Sequence, residues 1–154
     1  MTVFEVHTVI SQPVDIVVEA LMKPENHPYW TTDLEKFEVI KGEGGEVGSI
    51  AHLHYVQKGR SYVMEDKLVY CESGKKYVSQ VIGDFLSAEV ETLLTDNGDE
   101  TEMKIRWSGE GKKPILKLML PLLRNRLIKL AKSDLETFKK LIEIRGADFT
   151  EKPV

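Results

Sequence analysis

The sequence predicts an α+β domain in which a curved antiparallel sheet is covered by one long C-terminal helix. Two observations carry this. Short β-rich segments follow one another between Gly, Asn and Asp turns from about residue 36 to residue 109, the pattern of an antiparallel meander. From Pro114 to about Ile144 the period changes, and Leu116, Leu120, Leu123, Leu127, Leu130, Ala131, Leu135, Phe138 and Leu141 recur every three or four positions. No linker or repeat interrupts the 154 residues, so residues 1–146 read as a single domain and 147–154 as a loose tail.

The elements follow in order. "VFEVHTVIS" (Val3–Ser11) is β-branched and aromatic and reads as a strand. In "QPVDIVVEALMKP", Pro13 suits a first helical turn, Asp15 and Glu19 lie towards its positive end, and Pro24 closes it. Pro24 in turn suits the start of a second short helix, and Pro28 keeps His27 from continuing a regular one. Six strands are expected after this corner. Asn97-Gly98 is the strongest hairpin signal among their turns. Within the long helix Pro121 is expected to cause a kink, and Gly146 to end it.

Composition excludes several classes. Hydrophobic content is 42% and charged content 30%, a globular balance. The net charge of −4 argues against a nucleic-acid binder. Cys71 is the only cysteine, so no internal disulfide forms and a cytoplasmic location is expected. The N-terminus lacks a charged region followed by an apolar run, so no signal peptide is expected, and no apolar stretch is long enough for a membrane helix.

The order strand, short helix pair, six-strand meander, long helix is similar to the helix-grip fold, a seven-stranded antiparallel sheet wrapped around a C-terminal helix. "ISQPVDIVVEALMKPENHPYW" (Ile10–Trp30) resembles the opening of the START/Bet v 1-like superfamily, in the branch called SRPBCC or polyketide cyclase/dehydrase and lipid transport. "GEVGS" (Gly45–Ser49) resembles that branch's glycine turn, and "LETFKKLIE" (Leu135–Glu143) its closing helix. The likeness spans about residues 3–144, with Lys23-Pro24 standing where an acid-proline pair is usual. It implies a deep pocket for a hydrophobic small molecule between sheet and helix. It implies no single activity, because carriers, cyclases, chaperone activators and quinone-pathway proteins share the fold.

Alternation assigns the pocket wall. Glu89 and Glu91 mark an outer face, so Ala88, Val90 and Thr92 point inward. Lys104 and Arg106 leave Met103, Ile105 and Trp107 inside, and Glu65 and Lys67 leave Tyr62, Met64, Asp66 and Leu68. In the third strand Ile50, His52, His54 and Val56 compete with Ala51, Leu53 and Tyr55 for the inner face. The expected ligand contacts are Trp30, Tyr62, Met64, Val90, Thr92, Met103, Ile105 and Trp107, with Leu116, Leu120, Leu123 and Leu127 from the helix. Each is also an ordinary core residue.

Catalytic signals are weak. No nucleophile motif or phosphate loop occurs. His52 and His54 share a strand face but lack further spaced ligands, so no metal and no cofactor are expected. His27 reads as a surface ring at the corner. Asp66, Tyr62 and His54 are the only candidate acid/base groups, with Asp66 raised in pKa if buried.

Residues 112–132 carry seven Lys and Arg and no acid. Ile115, Leu118, Met119 and Leu122 form a second apolar side of the same helix. Either the Pro24–Trp30 corner covers that side, or it meets an anionic membrane surface or a second copy of the chain. Three functions remain open: a carrier or sensor of a lipid-like or aromatic molecule, a cyclase/dehydratase-type enzyme, and a protein-interaction module.

Overall fold

The computed structural model describes residues 1–150. Strand β1 (Thr2–Ile10) leads into helix α1 (Val14–Met22), a 3-10 turn (Pro24–Asn26) and the short helix α2 (His27–Trp30). Strands β2 (Leu34–Lys41), β3 (Ile50–Gln57), β4 (Arg60–Glu72), β5 (Lys76–Ile82), β6 (Leu86–Asp96) and β7 (Thr101–Gly111) follow as a meander. All neighbours are antiparallel, in the order β1-β7-β6-β5-β4-β3-β2. The two helices after β1 therefore carry the chain from one edge of the sheet to the other.

The C-terminal helix runs over 32 residues. It comprises α3 (Pro114–Met119), a 3-10 turn (Leu120–Leu123) and α4 (Arg124–Arg145). The break falls at Pro121, which has no N–H to return to the preceding turn. Gly146 ends α4 with a positive φ of 71° and donates its N–H to Ile142 O at 3.0 Å. Among the described residues no helix is long and apolar enough to cross a membrane.

The packed core lies on one side of the sheet's inner face. Phe4, Val6 and Ile10 of β1, Leu94 of β6 and Met103 of β7 meet Val17 and Ala20 of α1 and Leu135, Phe138 and Ile142 of α4. Phe4 also stacks on Trp107 at 5.2 Å. Trp107 lies so low that a Cβ on Gly109 would sit 2.2 Å from its ring. Glycine at 109 thus makes the space the indole occupies. Gly111 does the same for α3, since a Cβ there would meet Leu116 at 2.5 to 2.7 Å.

The start of the expected loose tail is ordered. Phe149 is 0% exposed and meets Phe138 edge-on at 5.4 Å. Its N–H donates to Asn26 Oδ1 at 3.0 Å, while Asn26 Nδ2 donates to Ala20 O at 3.0 Å and Ala147 O at 2.7 Å. A buried amide that ties three segments holds residues 147–150 down; residues 151–154 of the predicted tail lie outside the described residues. Asn26→Ala leaves one N–H and two carbonyls without this partner. It is expected to lower the unfolding free energy by about 2–4 kcal/mol, measured by urea denaturation.

Candidate functional site

Beyond the core, the β2–β5 part of the sheet stands clear of α4. The space between them is a cavity of about 480 Å³. Ala51, Leu53, Tyr55 and Gln57 of β3 line it, with Ile50 at the strand's start, so the Ala51–Leu53–Tyr55 face of that strand points inward. From β4 come Tyr62, Met64, Asp66 and Leu68, from β6 Ala88, Val90 and Thr92, and from β7 Met103, Ile105 and Trp107. The alternation of these three strands places their side chains as the charge pattern predicts. Helix α4 contributes Leu127, Leu130, Ala131 and Asp134.

Three helix residues named from the sequence do not reach the cavity. Leu116 packs against Gly111, Leu120 is buried in the 3-10 turn, and Leu123 lies outside the wall. The stripe is continuous in sequence, but its first half leans on the end of β7 and only its later part spans the cavity.

His54 is also displaced from its expected place. Its face of β3 points outward, where Nε2 donates to Glu38 Oε1 at 3.0 Å. The His52 and His54 rings are 6.4 Å apart on that outer face. Among the described residues no group of three metal-type ligands forms.

The corner Pro24–Trp30 forms one wall. His27 is not a surface ring. It lines the cavity, stacks on Phe37 at 4.1 Å, and donates Nε2–H to Leu21 O at 3.1 Å. Burial pushes its pKa down to about 4, against the raising effects of Leu21 and Glu25, so the ring is neutral. Trp30 stands between His27 and Phe138, at 5.7 Å and 5.0 Å between ring centres. Its Nε1 is buried with no hydrogen-bond partner among the described residues. The contacts of His27, Phe37 and Asn26 join residues from separate elements, which local sequence does not reveal.

Polar groups are few. Tyr55 and Tyr62 stack at 5.1 Å across β3 and β4, and burial raises both phenol pKa values, so each stays a neutral donor. Near the Thr31–Leu34 turn, Thr32 Oγ1 and N donate to Asp134 Oδ1 at 2.6 and 3.2 Å, tying the turn to α4. Ser79 of β5 faces Asp66 of β4, and Asp66 has no ion pair among the described residues. Burial pushes the Asp66 carboxyl up to about 6, and the Ser79 hydroxyl pulls partly the other way.

A carboxyl raised on folding binds its proton more tightly in the native chain. Stability therefore falls as pH rises from about 4 to about 6 and stays reduced above it. Asp66→Asn is expected to raise the unfolding free energy at about pH 7.5 by on the order of 2 kcal/mol. The gain shrinks below about pH 6 and vanishes near pH 4, as followed by denaturation across pH.

No family model and no curated protein matches the chain. Solved structures do. A conserved protein from Geobacillus kaustophilus superposes with a TM-score of 0.74 at 16% identity, covering 94% of this chain and 97% of the other. A START superfamily protein from Mycobacterium smegmatis gives 0.73 at 16%, covering 90% and 97%. A Streptomyces aromatase/cyclase gives 0.68 at 13%, covering 90% and 94%. The seven-stranded sheet gripping a long helix is the helix-grip fold, as the sequence predicts.

Proposed function

We propose that the protein binds a hydrophobic small molecule, lipid-like or aromatic, in the cavity between sheet and α4, as a carrier or sensor. The observation that carries this reading is the cavity itself. About 480 Å³ is space for a small organic ligand, and its wall is mainly aromatic and aliphatic with a few polar groups. The likeness of fold to the START superfamily, where hydrophobic ligands are common, supports it. Trp30, Tyr62, Met64, Val90, Thr92, Met103, Ile105, Trp107 and Leu127 are the contacts. Filling the space tests the reading. The wild-type chain is expected to bind the neutral dye Nile red saturably, with quenching of the Trp30 and Trp107 emission. Val90→Trp weakens uptake by about tenfold or more while thermal melting stays cooperative. Equal uptake by both proteins places the dye elsewhere and removes the support.

The exposed end of the C-terminal helix gives a route for loading. The Pro24–Trp30 corner does not cover it: Ile115, Leu118 and Leu122 are 65%, 76% and 80% exposed. Phe85 is exposed nearby, with Lys113 Nζ 4.8 Å above its ring. Large apolar side chains among Lys and Arg fit an anionic lipid surface, where each basic residue near the headgroups contributes about 1 kcal/mol. Leu127, five residues beyond Leu122, lines the cavity, so the contact adjoins the ligand space. Flotation with vesicles of phosphatidylcholine and phosphatidylserine is expected to carry the protein, less so at high salt. The double variant Leu118→Asp, Leu122→Asp stays in the soluble fraction. No flotation by the wild-type chain, with a dimer in analytical ultracentrifugation, assigns this face to a second copy instead.

A further inference from the structure

The charges around the cavity carry more information than its size. Four carboxylates belong to the wall: Asp33 and Glu43 at exposed positions, Asp134 on α4, and Asp66 within the sheet. The chain has 21 Lys and Arg, yet none of the described ones lines the space. His27, the other nitrogen base in the wall, spends its N–H on Leu21 O and carries no charge. Protein charge therefore does not compensate the acids facing the ligand. Asp66 is the sharpest case, because its neighbour Ser79 supplies a hydroxyl and no cation. An ionised carboxylate held away from water is costly unless a positive group meets it.

From this we infer that the ligand is a hydrophobic molecule bearing a protonated amine, with its ammonium group directed to Asp66 and its apolar body against the aromatic wall. The inference rests on the cavity being a binding site, as proposed above. The wall suits such a body in a second way. Trp30, Trp107, Tyr55 and Tyr62 all line the space, and aromatic rings attract cations. An anionic ligand, such as a fatty acid or an aryl carboxylate, meets only like charge.

Three probes of one skeleton separate charge from hydrophobicity: 2-(2-naphthyl)ethylamine, 2-(2-naphthyl)ethanol and 2-naphthylacetic acid. Titration calorimetry at about pH 7.5, where Asp66 is ionised, is expected to show the amine binding about tenfold or more tighter than the acid, with the alcohol between them. Asp66→Asn is expected to bring the amine-to-acid affinity ratio close to one, while its melting curve confirms the fold. Equal or tighter binding of the acid to the wild-type chain overturns the amine assignment and leaves the hydrophobic-binder reading standing. An amine preference that survives Asp66→Asn overturns the role of Asp66. If none of the three probes binds, the inference falls, and if Nile red is also refused the binder reading falls with it.

Discussion

A helix about 10 Å across cannot cover seven strands spaced about 4.8 Å apart. Everything else in the molecule follows from how that shortfall is placed. Leu135, Phe138 and Ile142 commit α4 to the edge formed by β1, β7 and β6, where α1 adds Val17 and Ala20. That packing supplies the apolar burial on which the fold rests. The other edge is left facing the helix across open space. The short helices after β1 close it from the side, and the Asn26 amide and the Thr32–Asp134 pair fix them to the C-terminal segment and to α4. The cavity is thus not a packing fault. It is the part of the sheet that the helix leaves uncovered, framed by hydrogen bonds that join separate parts of the chain.

Two ionisable groups in that frame work in opposite directions. His27 is kept neutral by burial, so acid disfavours its surroundings. Asp66 is held near its titration range by burial, so alkali disfavours its own. The cavity tolerates a neutral imidazole at no electrostatic cost, because its ring finds Phe37 and its N–H finds a carbonyl. It carries an uncompensated carboxylate at a real cost. A fold that stabilised only itself would place a hydrocarbon at position 66.

Much of this was legible in the sequence, and the reasons for the rest are specific. The outward pairs Glu89/Glu91 and Lys104/Arg106 set the inner faces of β6 and β7, because alternation is a local property of a strand. The third strand was ambiguous, since histidine and tyrosine both suit a half-buried face; the inward choice of Tyr55 depends on stacking with Tyr62 across the ladder. The helical stripe named Leu116, Leu120 and Leu123 correctly as apolar positions but not their partners, which are set by Gly111 and the break at Pro121. His27 reads from the sequence as a surface ring at a corner, because no partner ligand lies within sequence reach. Its burial comes from Phe37, ten residues on and in another element. Asn26 and Phe149, 123 residues apart, gave no local signal of their pairing.

Gly109 has a consequence beyond packing. The Trp107 ring rests in the volume where any other residue at 109 would carry its side chain. The depth of the cavity floor is therefore set by an atom that is missing from a position outside the cavity wall. Descendants of this sequence can remodel the cavity through position 109 alone, lifting the indole and shrinking the chamber while every residue of the wall keeps its identity. The shape of the chamber in such a lineage can drift without leaving a trace among its lining residues.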